Sequence, residues 1–123
     1  MTHDHSALSV VTLFMDAWDA RDYQTLEGIV DDDCIFRSSV GNEPGETVAG
    51  KAAVLARMRE MIAEETETES DSGRFWSVDG QVFAEWSYQS ITSDGREVTV
   101  RGMDRIHVDD GKIKEIDAYR KSF

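Results

Sequence analysis

Apolar residues recur at helical spacing near the start of the chain. Ala7, Val10, Val11, Phe14, Ala17 and Trp18 share one broad face, and Ser6 is a fair N-cap, so a first helix is predicted from about Ser6 to Arg21. Asp22 can cap a short second helix over about Tyr23 to Val30, with Leu26, Ile29 and Val30 inward. The chain then extends as a short strand, "CIFRSSV". "GNEPGET" (41–47) holds the only proline and two glycines and reads as a loop. A third helix follows over about Lys51 to Glu65, with Val54, Leu55, Met58, Met61 and Ile62 as its buried stripe. "TETESDSG" is polar and reads as an edge strand or a loop.

From Arg74 onward the period changes to two. Three Asp-Gly dipeptides, at 79–80, 94–95 and 110–111, separate β-rich runs and signal hairpins. About four strands are predicted, over 68–78, 81–91, 96–108 and 112–121. Three helices followed by a meander make an α+β fold, with the helices on one face of a curved sheet. The 123 residues make one domain, with 1–6 expected as a flexible tail.

Composition narrows the class. Hydrophobic content is 40% and charged content 31%, which describes a folded chain. The formal charge is −12 and there is no basic stripe, so nucleic acid is disfavoured as a partner. No apolar run approaches the ~20 residues of a membrane span. The N-terminus lacks a basic region, so no signal peptide is expected, and the one cysteine, Cys34, leaves no internal disulfide; both favour the cytoplasm. Cys34 reads as a buried structural thiol. Asp31-Asp32-Asp33 reads as a solvated turn, and His3 and His5 as part of the tail rather than a ligand pair. No zinc, phosphate-loop or dinucleotide spacing occurs, and no cofactor or metal is implied.

Within the meander one residue breaks the pattern. In "VTVRGMDRIHV" (98–108) Asp104 occupies the apolar register. Two-residue loops at the second and third hairpins would set it against Glu85 and Asp117, and directly opposed like charges are destabilising. Three-residue loops pair 92 with 96 and 108 with 112. One face then holds Val82, Ala84, Trp86, Tyr88, Val98, Val100, Gly102, Asp104, Ile106, Ile116 and Ala118, while Arg105 meets Glu115 and Arg101 meets Tyr119 on the other. This register is preferred because apolar coherence and charge pairing agree. It places Trp86 opposite Gly102, with Ala118 flanking, and Asp104 between Ala84 and Ile116. Burying a carboxylate without a partner costs several kcal/mol as a rough figure, or the group protonates. A raised pKa suits a general acid or base. A carboxylate satisfied by a tyrosine, a backbone group or an arginine, organising only the sheet, is the plainer alternative.

Three segments, "FMDAWDARDYQTLEGIVDDDCIF", "AGKAAV" and "VRGMDRIHVDDGKIKEIDAYR", give the chain a resemblance to the nuclear transport factor 2-like superfamily, in particular its SnoaL-like group. The resemblance spans about Leu8 to Tyr119. It implies a cone: a curved antiparallel sheet wrapped around helices, a pocket inside, and frequent dimers through the outer sheet face. The polyketide cyclases of the group use an aspartate on this late strand as acid/base, which places that role on Asp104. Some carry a histidine two residues earlier; here that position is Gly102. The base, tyrosine and protonated aspartate of ketosteroid isomerase fall near Ser38, Phe14 and Arg101, and none is retained. Limonene epoxide hydrolase needs an arginine and two aspartates around one water; Asp104 has no convincing second carboxylate on its face.

Two functions follow as expectations. The first is an enzyme acting on a small, mostly apolar molecule without a cofactor. Asp104 would transfer the proton and Tyr88 would orient the substrate or stabilise an oxyanion. Phe14, Trp18, Phe36, Met58, Ile62, Trp86, Gly102, Ile116 and Ala118 would complete the pocket wall. Arg120, on the pocket face by register, would either attract an anionic group at the mouth or snorkel as a surface side chain. The second is a non-catalytic ligand-binding or dimeric module. A homodimer through Arg101, Met103, Arg105, His107, Glu115, Asp117 and Tyr119 fits both.

Overall fold

The computed structural model describes residues 3–64 and 70–121. Helices α1 (His3–Ala20) and α2 (Tyr23–Ile29) lead into strands β1 (Val30–Arg37) and β2 (Thr47–Ala49); α3 (Lys51–Glu64) precedes β3 (Ser70–Val78), β4 (Gln81–Ile91), β5 (Glu97–Asp109) and β6 (Lys112–Arg120). The six strands form one sheet in the order β2-β1-β6-β5-β4-β3. Three helices and a curved sheet confirm the expected α+β architecture. None of the described helices is long and apolar enough to cross a membrane.

The helical boundaries follow local chemistry. Arg21 takes a left-handed φ of 57°, while Arg21 N–H donates to Trp18 O and Asp22 N–H to Ala17 O, a Schellman ending for α1. Asp22 then caps α2 by accepting from the Thr25 N–H at 3.2 Å. Two expectations shift here: α1 starts at His3, which takes His3 and His5 into its first turn, and α3 is described to Glu64, with Glu65 and the first half of "TETESDSG" outside the described residues and its second half opening β3.

Burial confirms the helical stripes. Ala7, Val11, Phe14 and Ala17 of α1, Leu26 of α2, and Val54, Met58 and Ile62 of α3 are all buried. They pack on the inner sheet face, where one cross-strand row runs Ser77, Val82, Ile106, Ile116, Phe36 and Val48 through all six strands. Burying such a row and stripes together supplies the main driving force for the fold.

The first strand departs from expectation. It starts at Val30 rather than Cys34 and ends at Arg37, and β2 was not anticipated. β1 also runs parallel to β6, so the sheet is mixed rather than antiparallel throughout. Asp31-Asp32-Asp33 is a stretch inside β1 where the register against β6 slips between Val30 and Ile35. Lys114 Nζ bonds Asp31 Oδ1 at 2.8 Å across that irregularity, and this cation lowers the Asp31 pKa below its ordinary value.

The hairpins correct part of the register. Thr92 N–H bonds Arg96 O, and Gly95 takes φ 86°, the three-residue loop that was expected. The β5–β6 turn differs. Asp110 and Gly111 both have positive φ (53° and 73°), and Asp109 pairs with Lys112, a two-residue turn. Continued regularly, it would set Asp104 against Asp117. A slip between His107 and Val108 leaves Lys114 as the extra residue on β6 and restores the inner face. Asp104 therefore opposes Ala118 rather than Ile116, and Gly102 opposes Arg120 rather than lying beside Ala118. On the outer face Met103, not Arg101, meets Tyr119. Arg105 lies opposite Asp117 yet still reaches Glu115 at 3.0 Å.

Candidate functional site

Asp104 sits in a row of small and apolar residues: Phe75, Ala84, Asp104 and Ala118 on β3, β4, β5 and β6. The adjacent row brings Trp86, Gly102 and Arg120 together. Trp86 reaches diagonally across Gly102, and its indole N–H donates to Asp104 Oδ1 at 2.8 Å. Gly102 makes this possible. A Cβ at that position would clash with indole atoms Cζ2 and Cη2 and with the backbone oxygen of Tyr119. Tyr88 stacks on Trp86, with ring centroids 5.9 Å apart and 13° between planes.

The two carboxylate oxygens differ. Among the described residues no buried side-chain oxygen or nitrogen lacks a hydrogen-bond partner, and the bond from Trp86 engages Oδ1. No side-chain partner of Oδ2 occurs among the described residues. Asp104 as a whole is half-buried. Desolvation pushes its pKa up to about 7, against the lowering effect of the Trp86 N–H and with a smaller push from the Asp117 carboxylate. The partner of Oδ1 is a tryptophan, not the tyrosine, backbone group or arginine of the plainer alternative.

The expected wall residues fall into three groups. Trp18, Trp86, Tyr88, Gly102 and Ala118 are half-buried. Phe14, Phe36, Met58, Ile62 and Ile116 are sealed in the core. Arg120 is exposed at the end of β6. Phe14 nevertheless contacts Trp18, with ring centroids 5.9 Å apart. Sequence reasoning missed Phe75. The register of β3 slips between Ser72 and Phe75, so simple alternation from the polar start of that strand does not reach it.

Other candidates have structural roles. Cys34 is fully buried, and burial pushes its thiol up to about 12. Among the described residues no group of three or more His, Cys, Asp or Glu is placed to hold a metal ion. On the outer face Arg37 and Arg105 bridge Glu115, and Arg105 also reaches Asp117 at 3.4 Å.

Helices over one face of a curved six-stranded sheet make a fold of the nuclear transport factor 2-like type. The chain belongs to the SnoaL-like domain family, whose model matches residues 11–116. Comparison with curated protein sequences returns no match. Among solved structures the fold is similar to that of a nuclear transport factor 2-like protein of unknown function from Mesorhizobium loti, with TM-score 0.81 and 24% identity over 97% of this chain and 93% of that one. Bal32a, from a soil-derived mobile gene cassette, gives TM-score 0.83 at 12% identity, covering 98% and 92%. A putative ketosteroid isomerase from Kribbella flavida gives 0.77 at 10%, covering 98% and 81%. At these identities the likeness is one of fold.

Proposed function

We propose that this protein binds a small, largely apolar metabolite on its inner sheet face and that Asp104 acts on it as a general acid/base, in a cyclase-, isomerase- or hydrolase-type step without a cofactor. The observation that carries this is the half-buried carboxyl on the inner face: Oδ1 held by Trp86, Oδ2 without a side-chain partner among the described residues, and a pKa pushed up to about 7 by burial. Such a group gives and takes a proton at working pH. Trp86, Tyr88 and Phe75 supply flat apolar surface beside it. The fold family hosts cyclases and isomerases, which supports the class of chemistry without fixing the substrate.

The test is turnover and binding of a panel of cyclisable ketones and epoxides by the wild type and by Asp104→Asn. Equal binding with turnover lost supports the proposal; undiminished turnover in the variant overturns it. A second reading rests on one observation. Position 102 is Gly, and no second titratable side chain joins Asp104 on its row, so the group works alone. Ligand binding without turnover is the outcome that favours this non-catalytic module.

The same proposal includes a homodimer through the outer sheet face. Trp76 and Tyr119 are 42% and 56% exposed there, and the two arginines and two acids of the central network cancel in a chain of net charge −12. Light scattering of the wild type and Trp76→Glu reads it: a dimer that the variant splits is expected, and a monomeric wild type overturns it. A cytoplasmic location fits the single buried thiol.

A further inference from the structure

Positive charge is scarce in this chain, with 13 Lys and Arg against 25 acids, so where it is left uncommitted carries information. Ten of the thirteen cations are held by an ion pair, a backbone carbonyl or an aromatic ring. The other three, Arg101, Arg120 and Lys121, have no such side-chain partner among the described residues. They are neighbours. Lys121 N–H donates to Arg101 O at 2.9 Å, and Arg120 lies directly opposite Gly102. The cations without a side-chain partner among the described residues therefore gather at one end of β5 and β6.

That end adjoins the Asp104 site. Trp86, Gly102 and Arg120 share a row, and because Gly102 has no side chain the Trp86 indole lies over it, toward the strand that carries Arg120. Arg120 is exposed and points no charge at Asp104: the Asp104 carboxyl is influenced by Trp86 and Asp117, not by a cation. The exposed guanidinium, with no side-chain partner among the described residues, is placed to meet a ligand. A net charge of −12 repels anions from most of the surface, while a local group of three cations steers them to this corner.

We infer that the site takes a planar ring carboxylate: the ring lies against the Trp86 indole where it covers Gly102, the carboxylate pairs with the Arg120 guanidinium, and the far edge of the ring meets Asp104. This deepens the proposed function and rests on its placement of the ligand beside Asp104. Arg presents a planar fork that matches a carboxylate, and stacking on an indole is available to any flat ring. Lys121 and Arg101 raise the local potential without needing direct contact. Below about pH 7 Asp104 is largely uncharged and does not oppose an anion.

The experiment compares 2-naphthoate with its neutral isostere 2-naphthamide by calorimetry at pH 6 and low salt, on the wild type, Arg120→Ala and Arg120→Lys. The expected result is a preference for the naphthoate of about tenfold. Arg120→Ala should abolish the preference and leave amide affinity unchanged, Arg120→Lys should retain part of it, and added salt should shrink it. Arg120 is exposed, so the variants keep the fold, which a thermal melt verifies. If both probes bind the wild type equally, or Arg120→Ala keeps the preference, the anion inference falls while the apolar site stands. If neither probe binds, the inference and the placement of a ligand beside Asp104 fall together.

Discussion

The indole N–H of Trp86 donates to Oδ1 of Asp104 at 2.8 Å, although the two residues are not direct cross-strand partners; Trp86 opposes Gly102 and Asp104 opposes Ala84. An indole nitrogen can only donate. It therefore fixes Oδ1 as an acceptor, so a proton on the neutral carboxyl falls to Oδ2. One bond both orients the carboxyl and makes its two oxygens inequivalent.

Trp86→Phe keeps an aromatic ring and removes the donor. The N–H bond lowers the Asp104 pKa, so its loss should raise the midpoint above the wild-type value of about 7. A hydrogen bond to a charged group is worth about 1.5–3 kcal/mol, or roughly one to two pH units. Carbon-13 NMR of the Asp104 carboxyl as a function of pH reads the change. An unmoved midpoint would show that the bond does not tune the group.

Asp104 also makes stability depend on pH. Its folded pKa, about 7, lies above the ordinary 3.8. Between those values the unfolded chain loses the proton while the folded chain keeps it, so stability falls as pH rises from about 4 to about 7 and is then level. Asp104→Asn mimics the neutral form and lacks this slope. It should match the wild type at pH 4 and exceed it by about 2–4 kcal/mol at pH 8, the lower end reflecting the partial exposure of the residue. Urea unfolding followed by circular dichroism at both pH values checks it. A variant less stable than the wild type at pH 8 would contradict the desolvation account.

Gly102→Ala places a methyl group against the Trp86 ring and the Tyr119 carbonyl. Overpacking of this kind costs about 1–3 kcal/mol. The indole must also shift, which breaks its bond to Asp104. A lower urea midpoint together with an altered near-ultraviolet tryptophan signal is expected. Adding Trp86→Leu should recover only part of the loss, because the Tyr119 backbone cannot move aside.

Most of the architecture was legible because it rests on strong periodicities. The α1 stripe from Ala7 to Ala17, the α3 stripe from Val54 to Ile62 and the Asp-Gly turns each follow from local rules. The inner-face position of Asp104 was legible too, through the requirement that the rest of that face be apolar. What escaped depended on neighbours far along the chain. The slip at Lys114 is settled by β1, whose Asp31 takes the Lys114 charge, and alternation along β6 alone does not reveal it. β2 has three residues and pairs only because β1 lies beside it. The Trp86–Asp104 bond requires a diagonal reach that register alone does not specify. Phe75 was hidden by the irregular start of an edge strand.

Cys34 provides a test of the core that is independent of the site. Its side chain is fully buried and its thiol is pushed up to about 12, first by desolvation and then by the carboxylates of Asp31 and Glu115. Only the thiolate attacks a disulfide reagent, and at pH 8 a thiol with that pKa is about one ten-thousandth ionised. The native protein should therefore leave Ellman's reagent unreacted over the time in which a free thiol is consumed. In denaturing urea it should release one equivalent of chromophore. At intermediate urea the rate should follow the unfolded fraction measured by circular dichroism, since burial and ionisation are relieved together. Fast reaction of the native protein would mean that β1 opens without global unfolding, and the Lys114–Asp31 pairing across its irregular start is where such an opening would begin.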